Sequence, residues 1–179
     1  SKVESMRYMF VQCDSLTSLD LSNFVTSNVR DMFAMFISCK ALKNLNIKSF
    51  DTSKVTNMGE MFENCESLEN LDVSHFNTQS VENMERMFIK CIKLQTLDLT
   101  NFNTAKVITM SSMFSGCYLL KNIDVSSFDT SNVQKMSNMF ANCLSVTSID
   151  VSRFNTEKVL EMSSLFSKCE KLQSVDITN

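Results

Sequence analysis

The chain contains no proline and no tryptophan, a single histidine, and two glycines, Gly59 and Gly116. Its turns must therefore be fixed by side chains and by packing, without the two residues that usually punctuate a fold. No apolar run approaches the roughly 20 residues of a membrane span, and no secretory leader, lipidation motif or stop-transfer segment is present. Lys and Arg together number 17 against 20 Asp and Glu, for a net charge of −3. No basic surface is expected, which argues against binding driven by phosphate charge and hence against nucleic acid as partner. There is no HExxH helix, phosphate-binding loop or Ser-His-Asp set. The enzyme reading therefore has no residue behind it, and no cofactor is expected. The triplet Asn-x-Ser/Thr never occurs, so N-glycosylation is not expected either.

What the chain does have is repetition. Its 179 residues are 44% apolar, enough for one domain with a real core. The seven cysteines, Cys13, Cys39, Cys65, Cys91, Cys117, Cys143 and Cys169, stand 26 residues apart without exception. Phenylalanine keeps the same step from Phe10 to Phe166, valine from Val3 to Val159, and methionine from Met6 to Met162. A fixed period of this length is the mark of a solenoid. Residues 1–179 read as a single solenoid of seven 26-residue repeats, the last truncated. The chain begins and ends inside a repeat, so it reads as a fragment of something longer.

Within one repeat, Val29, Met32, Met35, Phe36 and Cys39 are spaced as one face of an α-helix. Thr26 precedes them, usually with Asp or Asn before the threonine in other repeats, and reads as a helix N-cap. After Cys39 the spacing changes to two at Leu45 and Ile47, with Asn46 pointing out, which reads as a short strand. The turn that follows is anchored by a Phe column running from Phe24 to Phe154. One repeat cannot offset the entropy of ordering its own backbone; stacking on identical neighbours supplies the missing burial and hydrogen bonds.

The words "LxxLDLS" and "FDTSxVxxMxxMFxxC", carried by Leu16, Leu19, Leu21, Phe24, Thr26, Val29, Met32, Met35, Phe36 and Cys39, resemble the BspA-like leucine-rich repeats of bacterial and protist surface proteins. Small departures are Leu165 for Met, Val146 for Leu and Asn46 for Asp. The resemblance implies an α/β leucine-rich-repeat solenoid, with a parallel sheet on one face and short α-helices on the other. It also implies an extracellular or cell-surface location and a role in adhesion or binding.

The cysteine column admits four readings. Favoured is a buried structural ladder, each thiol acting as a small apolar group with a weak donor. Disulfides between adjacent coils fit the rung spacing, but seven is odd and the dihedral is hard to reach from parallel side chains. Zinc lacks a C-x-x-C pair, and seven equal copies argue against one catalytic thiol.

Two sets of residues are candidate partner-binding sites. The first is the carboxylate column Asp20, Asp72, Asp98, Asp124, Asp150 and Asp176, interrupted by Asn46. It would line the outer face of the sheet, either satisfied locally by Ser and Thr or presented to cations or a basic partner. The second is an apolar group on the outer helical face, Tyr8, Val11, Phe33 and Ile37, whose columns turn to serine at Ser111, Ser115 and Ser163. Partners are expected to be a protein or glycan ligand, or copies of the chain itself, with no membrane insertion by this segment. The alternative function is a structural polymer. No polar capping repeat is seen, and uncapped coils could stack end to end into a filament.

Overall fold

The computed structural model describes residues 2–177. The backbone returns to the same place every 26 residues. The parallel strands β1 (Ser18–Asp20) and β2 (Asn44–Asn46) pair with Ser18 opposite Asn44 and Leu19 opposite Leu45. Strands β3 (Ser148–Asp150) and β4 (Ser174–Asp176) pair in the same register. Between these pairs the strand face is held by one bridge, Asn70 to Thr96.

The expected helices are not there: among the described residues no helix forms. Residues 32–39 instead make three overlapping tight turns. The Met35, Ile37 and Cys39 N–H groups donate to the Met32, Ala34 and Phe36 carbonyls. The third residues of the first and last turns, Ala34 and Ser38, have φ of 53° and 60°, the positive φ that a type II turn requires at that place. The alternate amides point the other way. Met32, Ala34, Phe36 and Ser38 donate to the carbonyls of Asn57, Gly59, Met61 and Glu63 in the next coil. The same four bonds recur at each coil boundary, ending with Met136, Asn138, Phe140 and Asn142 donating to Glu161, Ser163, Leu165 and Ser167. A helix would spend all its amides on itself; this turn face spends half on its neighbour. A parallel ladder of bridges from Ser5 through Asp31, Asn57, Asn83, Thr109 and Lys135 to Glu161 runs alongside it.

The sequence pattern misleads here because overlapping tight turns return side chains to the core at steps of three and one, as a helix does. Met32, Met35, Phe36 and Cys39 are all fully buried, as a helical reading also requires. Among the described residues, thirteen non-glycine residues occupy left-handed positions, with Gly116 taking a fourteenth. Each costs on the order of 1 kcal/mol, offset by the cross-coil bonds that the conformation makes possible.

Thr26 and its equivalents cap no helix. The Thr26 hydroxyl accepts the Asp51 N–H at 2.7 Å and donates to the Asp51 carbonyl at 3.0 Å. Thr52 and Thr78 clasp Asn77 and Asn103 in the same way. These threonines are almost fully buried, and the double bond to the next coil is what makes a buried hydroxyl tolerable. Corners are turned by Asx bonds. Asp51, Asn77, Asn103 and Asp129 accept the amide two residues on through their side chains, so neither proline nor glycine is needed.

Inside, Phe10, Phe36, Phe62, Phe88, Phe114, Phe140 and Phe166 form an unbroken parallel stack, ring centroids 5.5 to 5.9 Å apart. Gly59 leaves room for a neighbour: a Cβ there would stand 3.1 Å from the Phe33 ring and 2.8 Å from the Asn83 amide. If the left-handed turn positions are held by the ladder and not by their side chains, Ser112 is the place to show it. It has φ of 56°, and its hydroxyl has no hydrogen-bond partner among the described residues. Ser112→Gly is expected to raise stability by about 1 kcal/mol and Ser112→Val to lower it by ~1–2 kcal/mol, read from urea midpoints.

Candidate functional site

The carboxylate column stands at the end of each strand rung, and its first task is structural. One oxygen of Asp20, Asp72, Asp98, Asp124 and Asp150 accepts the amide two residues on, from Ser22, Ser74, Thr100, Ser126 and Ser152. Asn46 does the same for Lys48 and also donates to Asp20 at 3.1 Å. The hydroxyls and amides of Ser74, Thr100, Ser126 and Ser152 hold the four later carboxyls below the usual carboxylate range. For Asp20 the Ser22 amide is the main cause. Asp72 and Asp124 push Asp98 the other way, by charge. Among the described residues, no group of three or more acidic, Cys or His side chains is arranged to hold a metal ion.

The cysteine ladder is free of disulfides. Each thiol from Cys39 to Cys169 donates to the phenylalanine carbonyl 29 residues earlier, at 3.0 to 3.3 Å. Burial pushes Cys39 up to about 11 and Cys117 to about 12, and raises Cys65, Cys91 and Cys143 as well. Burial thus favours the protonated thiol, the form that donates to the phenylalanine carbonyl. His75 is likewise occupied: its Nε2 lies 3.1 Å from the Ile47 carbonyl and its ring meets Phe76 edge-on.

The Tyr8 group lies on the turn face. Tyr8 and Val11 are 46% and 42% exposed, while Phe33 and Ile37 are half-buried. Tyr8 and Phe33 meet edge-to-face at 5.5 Å. The Arg7 guanidinium lies 4.6 Å from the Phe33 ring centre and 5.4 Å from that of Tyr8, and is tied to Asp31 at 2.9 Å. The carboxylate bond keeps Arg7 above its ordinary pKa. The structure thus brings together Tyr8 and Phe33 and adds Arg7 and Asp31, which residue spacing did not single out. The Asp column lies apart, on the strand face.

Two further features escaped the sequence reading. Arg86 and Glu63 pair across a coil boundary at 3.0 Å, with Glu63 Oε2 and Arg86 Nε buried and unpartnered. Burial raises the Glu63 carboxyl, with the Arg86 charge opposing. The second is an exposed corner after the cysteine. There Tyr118 and Leu119 are 38% and 46% exposed, beside Ile92 and Leu144 of the adjacent coils. Other coils place Asp14, Lys40, Glu66 and Glu170 at the same step; reading this column for its exceptions would have found the corner.

A rung-stacked coil with variable outer positions defines a leucine-rich-repeat solenoid. The model of the family described as "Mycoplasma protein of unknown function, DUF285" matches residues 4–116 and 90–179, and the chain belongs to that family. Its fold is similar to that of a leucine rich cell surface protein from Faecalibacterium prausnitzii A2-165. That likeness has a TM-score of 0.65 at 21% identity, over 97% of this chain and 42% of the other. The chain thus spans less than half the length of that structure. A weaker likeness, TM-score 0.46 at 15% identity, is to the T. pallidum leucine rich repeat protein, over 96% of this chain and 72% of the other. No curated protein matches. The resemblance to BspA-like leucine-rich repeats is borne out.

The rung carboxylates carry a pH consequence. Their folded values lie below the unfolded ones, so their stabilisation is full above about pH 4 and is lost as pH falls through the lower folded values. The thermal midpoint is expected to fall below about pH 4. Asp98→Asn keeps the turn acceptor, as Asn46 does, and should reduce that acid loss in a pH series of melting curves.

Proposed function

We propose that residues 1–179 form one continuous, non-enzymatic recognition scaffold displayed at a cell surface, where it mediates adhesion or protein–protein binding. The carrying observation is the contrast between an invariant interior and an exterior that varies coil by coil. The Phe, Met, Cys and Thr columns are fixed by the stacking, while the turn face passes from Tyr8 and Phe33 through Glu85 to Ser111 and Ser163. Surface display is supported by the fold's likeness to a structure described as a cell surface protein.

The Tyr8–Phe33–Arg7 cluster is the favoured contact for a protein or glycan. Aromatic and arginine side chains held rigid by their neighbours are the usual anchors of a binding face. Here Phe33 is packed over Gly59 and Arg7 is fixed by Asp31. The second reading, end-to-end stacking into a filament, draws on the ladder itself, since four regular bonds per boundary would accept any coil of the same length.

Binding of the labelled chain to arrayed glycans and surface proteins separates the readings. Tyr8→Ser with Val11→Ser is expected to weaken a saturable ligand by about tenfold with the melting curve unchanged. Long filaments in electron micrographs of the pure chain, with no such ligand, would favour the polymer instead.

A further inference from the structure

The corner after the cysteine is the part of the molecule that packing does not explain. In each coil it is a two-residue turn tip between a buried or half-buried cysteine and an inward-facing apolar residue. Tyr118 and Leu119 occupy one tip, between Cys117 and Leu120. The chain supplies its own control. Asp14–Ser15, Lys40–Ala41, Glu66–Ser67 and Glu170–Lys171 hold the equivalent positions, so the fold accepts charged and small residues there. Nothing in the stacking asks for tyrosine and leucine. The neighbouring tips add Ile92 and Leu144, both half-buried, so apolar side chains project from three successive rungs.

Within these three rungs the charged neighbours after and before the tips are lysines, while the flanking rungs carry Glu66, Glu69 and Glu170. Lys93 stands beside Ile92 in its turn, Lys121 follows Leu120, and Lys90 precedes Cys91; all three are exposed. Among the described residues neither Lys93 nor Lys121 takes part in an ion pair.

We propose that this corner, Ile92, Tyr118, Leu119 and Leu144 with Lys90, Lys93 and Lys121, is a peripheral contact site for an anionic lipid surface. Exposure and charge select this occupant. Tyr118 and Leu119 stand at the tip of a turn, 38% and 46% exposed. An exposed apolar tip can bury itself at the headgroup boundary of a bilayer. Tyrosine suits that depth, with its ring in the apolar layer and its hydroxyl in the polar one. Lysines flanking the tip are drawn to anionic headgroups over about a Debye length. Contact of this kind adds to the adhesive reading: it would lay one edge of the solenoid against a membrane and leave the strand face and the Tyr8 cluster turned elsewhere. No span is involved, and no helix among the described residues is long and apolar enough to cross a membrane.

Co-sedimentation with vesicles tests the assignment, comparing phosphatidylcholine alone with a phosphatidylcholine–phosphatidylglycerol mixture. The chain should bind the anionic vesicles, bind the neutral ones weakly, and lose affinity as salt rises. Tyr118→Ser with Leu119→Ser should weaken binding by about tenfold, and Lys93→Glu with Lys121→Glu by a similar factor. The second pair lies wholly on the surface and carries the test if the first fails to fold. Absence of binding to anionic vesicles, or equal binding by the lysine-reversed variant, would overturn the proposal. So would self-association without lipid that the Tyr118–Leu119 variant abolishes in a chain that ignores vesicles, which would make the corner a protein contact.

Discussion

Everything in this solenoid depends on how the turn face divides its backbone hydrogen bonds. Within residues 32–39 the odd-numbered amides close local turns, and the even-numbered ones reach the next coil. That division needs two left-handed residues per coil, and it fixes the coil spacing along a whole face. The Phe stack follows from it, since rings carried on a ladder of constant pitch must lie parallel. So does the cysteine column. The Phe36 carbonyl accepts the Cys39 amide from its own coil and the Cys65 thiol from the next. A small side chain with a weak donor is needed there, and the thiol fits without bringing the desolvation cost of a hydroxyl.

The strand face is the looser side. Strand pairing is continuous only within β1–β2 and β3–β4, whereas the turn-face bridges run from Ser5 to Glu161. The leucine-rich pattern therefore names the less hydrogen-bonded face, and the Met-Phe-Cys segment holds the coils together. The asymmetry leaves the outer side chains of both faces free to vary, because the binding energy between coils comes from backbone and buried columns.

Much of this was legible in the sequence. The period and the buried columns followed from spacing alone, because each depends on repetition, while the parallel sheet was implied by the resemblance to leucine-rich repeats. The helix did not survive, since steps of three and one fit both a helix and a run of overlapping tight turns, and nothing in Ala34 or Ser38 announces a positive φ. Thr26 was read as a cap for the same reason: its backbone does start a turn, with Val29 donating to its carbonyl, but its hydroxyl serves the next coil. Tyr8, Val11, Phe33 and Ile37 were singled out as apolar residues in columns that turn to serine further along the chain. Arg7, Asp31, Glu63 and Arg86 were missed because their partners lie in different columns, where period counting cannot pair them. Tyr118 and Leu119 were missed because their columns are mostly polar.

The measurement that bears most directly on this account is amide hydrogen exchange on the native chain, resolved by residue. The turn-face amides of Met84, Arg86, Phe88 and Lys90 should be among the slowest to exchange, together with Met87, Ile89 and Cys91 between them, since both sets are bonded. Amides of the central strand rungs around Asn122 should exchange faster. Fast exchange across residues 84–91 with slow exchange along the rungs would place the cohesion of the solenoid in the sheet and contradict the account.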